Sequence, residues 1–218
     1  MKHLVFMLAT LLCLSQITAF GQSEECVYAF SLKTGTLLKN VTYGKKQEVI
    51  SSSISKVIIN DGHTLTFSTE SYSNSSSAGG GTVLTDVICK DGEVLYPIDP
   101  GITGVKVSDN SDKYINFPVT MSQGMKLKDI VYSGKGITSD GYPFPVKMNQ
   151  KERVVERVES ITTPAGTFEC AKVNYLLEYG PVKWQTSLWI SKEVGIVKTE
   201  FYKKGKVVSS VVLEMVTK

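Results

Sequence analysis

The chain has 218 residues, 42% of them hydrophobic and 21% charged, with a formal net charge of +3. Beyond residue 21 no apolar run is long enough to cross a bilayer as a helix, and the 23 Lys and Arg there nearly balance 21 Asp and Glu, Lys2 being the only such charge before them. An integral helical span after a leader is thereby excluded, and no nucleic-acid partner is expected, because a nucleic-acid surface needs a basic excess to displace counterions.

In chain order, Lys2 precedes an apolar stretch from Leu4 to Leu14, and Ala19-Phe20-Gly21 offers small residues where a signal peptidase reads. Residues 1–21 are therefore expected to be a cleaved signal peptide, followed by a single β domain over 22–218. Cys13 follows Leu11-Leu12 and Cys26 follows Glu24-Glu25, contexts that do not suit lipid attachment. The product is expected to be exported, to the periplasm first and otherwise to the cell surface or medium.

Beyond the leader Val occurs 24 times and Ala only 4 times, a bias toward side chains that fit a pleated surface. The expected fold is all-β or mainly β, an antiparallel meander with little helix. Asn60-Asp61-Gly62 and Asp91-Gly92 each separate short apolar runs and predict hairpins. Asn74 to Gly81 (NSSSAGGG) reads as a loop, and Pro97, Pro100, Gly101 and Gly104 mark an irregular crossing. Asn149 to Ser160 fits either a helix or a long strand, and its branched residues favour the strand. After the Pro164-Ala165-Gly166 turn come four predicted strands, joined at Gly180-Pro181, before Gly195 and at Lys204-Gly205. The clearest of them, Val182 to Ile190, alternates apolar and polar residues, with Trp184 on the apolar face and Trp189 on the other.

Chemistry is sparse. His63 is the only histidine after the leader, no Gly-x-Ser-x-Gly elbow occurs, and no cysteines stand at zinc-ligand spacing, so neither enzyme activity, metal nor cofactor is expected. Asp86, Asp91, Asp99 and Asp129 read as solvated surface acids. Cys26, Cys89 and Cys170 allow three single disulfides in an oxidising compartment. Cys89 with Cys170 is the expected pair, both lying in predicted strands while Cys26 sits near the chain start; the alternative leaves all three as thiols. Tyr175, Trp184, Trp189, Phe201 and Tyr202 are spread over consecutive strands, and those sharing a face are candidates to line an apolar binding surface.

The segment Ile161-Thr162-Thr163-Pro164-Ala165-Gly166-Thr167-Phe168-Glu169-Cys170, followed by Trp189-Ile190, Gly195-Ile196-Val197-Lys198 and Lys204-Gly205-Lys206, resembles a family of exported bacterial proteins. The resemblance covers roughly residues 147–217, with looser matches at Phe30 to Thr36 and Val87 to Gly92. That family is similar in architecture to the LolA/LolB-type lipoprotein carriers. The similarity implies a half-barrel with a concave side able to hold acyl chains, although no amphipathic lid helix is legible here. The expected function is a non-enzymatic exported protein that binds a lipid, an acylated protein segment or another hydrophobic ligand. The alternative is an envelope protein-interaction module that docks a partner through sheet edges or the Trp189 face.

Overall fold

Turn chemistry sets the strand boundaries. Strands β4 (Val83–Lys90) and β5 (Glu93–Pro97) meet at Asp91 and Gly92, whose φ angles are 53° and 74°. Lys204 and Gly205, at 52° and 72°, join β12 (Gly195–Lys203) to β13 (Lys206–Thr217) in the same way. Two successive left-handed residues give the turn whose twist matches an antiparallel pair.

The computed structural model describes residues 26, 28–74, 81–98, 105–138 and 140–217. The expected signal peptide at 1–21, most of the serine-glycine loop and most of the Pro100 crossing lie outside the described residues. Among the described residues every regular element is a strand. The first meander begins with β1 (Leu37–Gly44), β2 (Val49–Asn60) and β3 (Thr64–Ser73), and β4 and β5 continue it. Then come β6 (Lys106–Val107), β7 (Tyr114–Pro118) and β8 (Ile130–Ile137). A second meander runs from β9 (Pro143–Thr163) through β10 (Gly166–Tyr179) and β11 (Val182–Ser191) to β12 and β13. The 149–160 segment is thus strand, inside the 21-residue β9, and the four strands after Pro164 form the expected meander.

All thirteen strands belong to one antiparallel sheet, in the order β6-β8-β9-β10-β11-β12-β13-β1-β2-β3-β4-β5-β7. The first and last strands of the chain pair in the middle, Val41 opposite Val212, and join the two meanders. This order forces curvature. β7 and β8 are eleven strand spacings apart, which in a flat sheet is about 50 Å at ~4.8 Å each. The link between them, residues 119–129, reaches only about 40 Å when fully extended. The sheet therefore curls until its two edges face one another, while its backbone ladder stays open.

Arg153 on β9 fastens those edges. Only 1% exposed, it donates to the Asn116 main-chain oxygen (2.8 Å), the Asn116 side-chain oxygen (3.2 Å) and the Lys128 main-chain oxygen (2.7 Å), and lies 5.2 Å over the Phe117 ring. Backbone bonds from Gly124 and Leu127 to β9 complete the junction.

The sheet curls around its apolar side, where Leu38, Val57, Leu65, Val87, Val173 and Leu188 form the centre of the core. A strap at residues 28–33, preceding β1, crosses that side. Tyr28, Ala29, Phe30 and Leu32 are buried in it, held by Ala29 N–H to the Lys192 oxygen and by two Asn60 amide bonds to the Phe30 and Leu32 oxygens. Its start is covalently fixed, and here the expected Cys89–Cys170 pairing is corrected. The disulfide joins Cys26 to Cys89 with Cα atoms 5.9 Å apart, and Cys170 is a buried free thiol. Six strands lie between β10 and β4, and Cys170, opposite Ser191 and Glu159, is in register with the polar side of β10. Among the described residues only the segment that leads into the strap delivers a second thiol to Cys89. Burial pushes the Cys170 thiol up to about 12, so it stays protonated.

Candidate ligand groove

Strand register sorts the five candidate aromatics. Tyr175, Thr186 and Phe201 oppose one another across β10, β11 and β12, and Trp184 is two residues from Thr186, so Tyr175, Trp184 and Phe201 share the apolar side. Trp189 and Tyr202 point the other way, in register with Lys172 and Gln185. The five therefore do not line one surface. Tyr175 is core, its phenol held above its ordinary range by burial. Trp184 and Phe201 are half-buried and meet edge to face at 6.3 Å. That pair lies toward one end of the apolar side.

On the polar side Trp189 is only 6% exposed, because charged side chains roof it. The Lys172 and Lys198 ammonium groups each stand 5.2 Å from its ring, and its indole N–H donates to Glu159 at 2.8 Å. Each charge is answered. Lys172 pairs with Glu156 at 2.7 Å, Lys198 with Glu200 at 2.7 Å, and Arg157 with both Glu156 and Glu159. Arg157, and then the Trp189 indole, hold the Glu159 carboxyl below the usual carboxylate range. Tyr202 donates to Glu200, and Ser187 to the Asn174 oxygen. This is a self-satisfied lattice that leaves little of the Trp189 ring exposed.

The acids read as solvated surface groups stand apart where they are described. Asp86 accepts from Thr66 Oγ1 at 2.7 Å, Asp129 accepts from the Glu152 N–H at 2.9 Å, Asp91 is exposed beside Lys90, and Asp99 lies outside the described residues. Among the described residues no three His, Cys, Asp or Glu side chains could hold a metal ion. His63 Nδ1 stands 3.8 Å from Cys26 Sγ.

The groove lies elsewhere, on the apolar side of β1 to β4. It encloses about 180 Å³, with Leu38, Phe67 and Val87 as its floor and Ala29, Tyr96, Val194 and Ile196 closing over it. Asn40, Ser55, Thr69 and Thr85 line it as well, the Ser55 and Thr69 hydroxyls bonded at 2.8 Å. Two further cavities, of about 310 and 410 Å³, border the same strap, one at Tyr28 and Cys170 and the other at Ser31 and Leu32. The strap thus adjoins all three. Sequence reasoning placed Leu65 to Phe67 and Val87 in hairpin strands. It missed their joint surface, since the partners that complete it come from the strap, β5, the turn before β12 and β12 itself.

A family model described as DUF3108-like matches residues 33–213. Two solved structures share the fold. One, from Bacteroides fragilis and titled as an exported protein with a YmcC-like fold, is 19% identical with a TM-score of 0.71. The other, from Parabacteroides distasonis and titled as a lipoprotein, is 23% identical with a TM-score of 0.70. In both cases the match spans 88% of this chain and all of the other. No curated protein matches.

Proposed function

We propose that this chain, which belongs to the DUF3108-like family, is an exported, non-enzymatic binding protein that holds a hydrophobic chain against the apolar side of its curled sheet. The observation that carries the reading is the groove between β1 to β4 and the strap, an apolar floor that the core leaves unfilled. Export is supported by the leader and by the Cys26–Cys89 disulfide, a bond that persists in oxidising compartments. The groove of about 180 Å³ is smaller than the pockets of roughly 300 Å³ and more that take drug-sized ligands. It suits a slender apolar group, such as one methylene chain on a lipid or an acylated protein segment.

Filling the groove tests this. Wild-type protein should raise the fluorescence of N-phenyl-1-naphthylamine and release a lipid on organic extraction. Ser55→Phe, projecting a ring over the groove floor, should lower probe affinity about tenfold or more while the thermal transition stays cooperative. Equal probe binding by both proteins would count against the groove as the site.

A further inference from the structure

The distribution of charge in β1 to β4 narrows the ligand class. These strands carry five charged residues, Lys39, Lys56, Glu70, Asp86 and Lys90. Strand register places every one on the polar side: Lys39 opposes Ile54, Ile54 opposes Glu70, and Asp86 opposes and accepts from Thr66. The apolar side of the same strands carries hydroxyls and amides instead, with Asn40 opposite Ser53, Ser53 opposite Ser71, and Ser55 opposite Thr69. Among the described residues no charged side chain lines the groove, and the one titratable side chain there is Tyr96, whose buried phenol stays neutral well above physiological pH. The Tyr96 hydroxyl already donates to the Tyr28 oxygen. Within the Ser55–Thr69 bond only one hydroxyl hydrogen is used, so the pair keeps a donor and several lone pairs for a ligand. The Asn40 amide has no protein partner among the described residues.

Resting on the reading that the groove holds a hydrophobic chain, we infer that it selects an uncharged amphiphile, an acyl chain ending in a hydroxylated head such as a glyceride or sugar. The chain lies on Leu38, Phe67 and Val87, and the head exchanges hydrogen bonds with Asn40, Ser55, Thr69 and Thr85. A carboxylate or phosphate brought to the same place loses its hydration and meets no cation, a cost that hydroxyl donors offset only in part. A neutral polyol keeps its hydrogen bonds and incurs no such cost.

Monoolein and oleate share one acyl chain and differ in head charge, so displacement of bound N-phenyl-1-naphthylamine by each, from the full exported chain with its disulfide intact, tests the inference. At neutral pH monoolein should displace the probe at a concentration lower by about tenfold or more. Oleate should close that gap as its own carboxyl protonates at acid pH. Thr85→Lys, which sets an ammonium beside the groove, should strengthen oleate and reverse the order. Equal displacement at neutral pH, or tighter oleate, would overturn the uncharged-head inference and leave chain binding standing. Displacement by neither lipid, with no probe bound at the outset, would remove the chain-binding reading itself.

Discussion

Glu178, near the tip of the β10–β11 hairpin, shows how a single residue fixes a local structure. Lys151 and Lys183 each reach its carboxylate at 2.7 Å, and Asn149 adds a bond at 3.3 Å, clamping β9, β10 and β11 together. Lys151 first, then Lys183 and Asn149, hold its carboxyl down to about 2. The folded form binds this proton more weakly than the unfolded chain, so the clamp contributes fully above the ordinary carboxylate range. It is lost as pH falls from about 4.5 toward 2. Glu178→Gln should destabilise the fold at neutral pH, and the difference from wild type in urea midpoint should shrink steadily through that interval. Screening by solvent keeps the effect modest. Trp189 teaches the complementary lesson at the same scale. Its place on the polar face of β11 was legible from period-two alternation. That Lys172, Lys198 and Glu159 would bury it was not, because they come from three other strands.

Among the elements, the strap at 28–33 has no regular hydrogen-bonding pattern of its own and depends on its anchors. The Cys26–Cys89 bond spans 63 residues of sequence. Constraining a loop of that length removes denatured-state entropy worth about 4 kcal/mol in the chain-entropy account. Cys89→Ser should therefore lower unfolding free energy by about 2–4 kcal/mol in urea titration. Because Ala29 closes the groove, the same variant should also take up more hydrophobic probe, an effect that a purely global destabilisation would not produce below the unfolding transition. The hairpins were readable in advance for a local reason: Asp91-Gly92 and Lys204-Gly205 carry their turn geometry in two adjacent residues. The strap was not, since nothing in Tyr28-Ala29-Phe30 marks an irregular segment for burial. Its partners Asn60, Tyr96 and Lys192 are dispersed along the chain. The disulfide was misassigned for the same reason.

For the molecule as a whole, the curl depends on Arg153. The sequence NQKERVVERVES shows an arginine among charged neighbours, with no local sign that it is buried. A bulge accounts for its burial. Glu152 has φ of 57°, and two residues of β9 lie opposite Tyr175 where the ladder shifts, so Arg153 turns inward beside Val155. Its guanidinium is lowered to about 10 by burial, so it keeps its charge at neutral pH. Arg153→Met retains the stem but strands the Asn116 and Lys128 oxygens. It should cost about 2–4 kcal/mol, with a lower denaturant slope if the edges part before the sheet melts. Arg153→Lys should not restore stability, since one ammonium cannot span acceptors that a planar fork reaches. Wild-type stability in the Lys variant would show that charge alone suffices.

The pairing of β1 with β13 also bears on how the sheet assembles. The central seam brings Leu37 against Thr217, 180 positions apart, so it closes only across a long stretch of intervening chain. Without β13 in place the two meanders are separate partial sheets, each with a bare hydrogen-bonding rim open to wrong partners. Insertion of β13 between them covers the bare rims of β1 and β12 in one step, the event on which the continuity of the whole sheet waits.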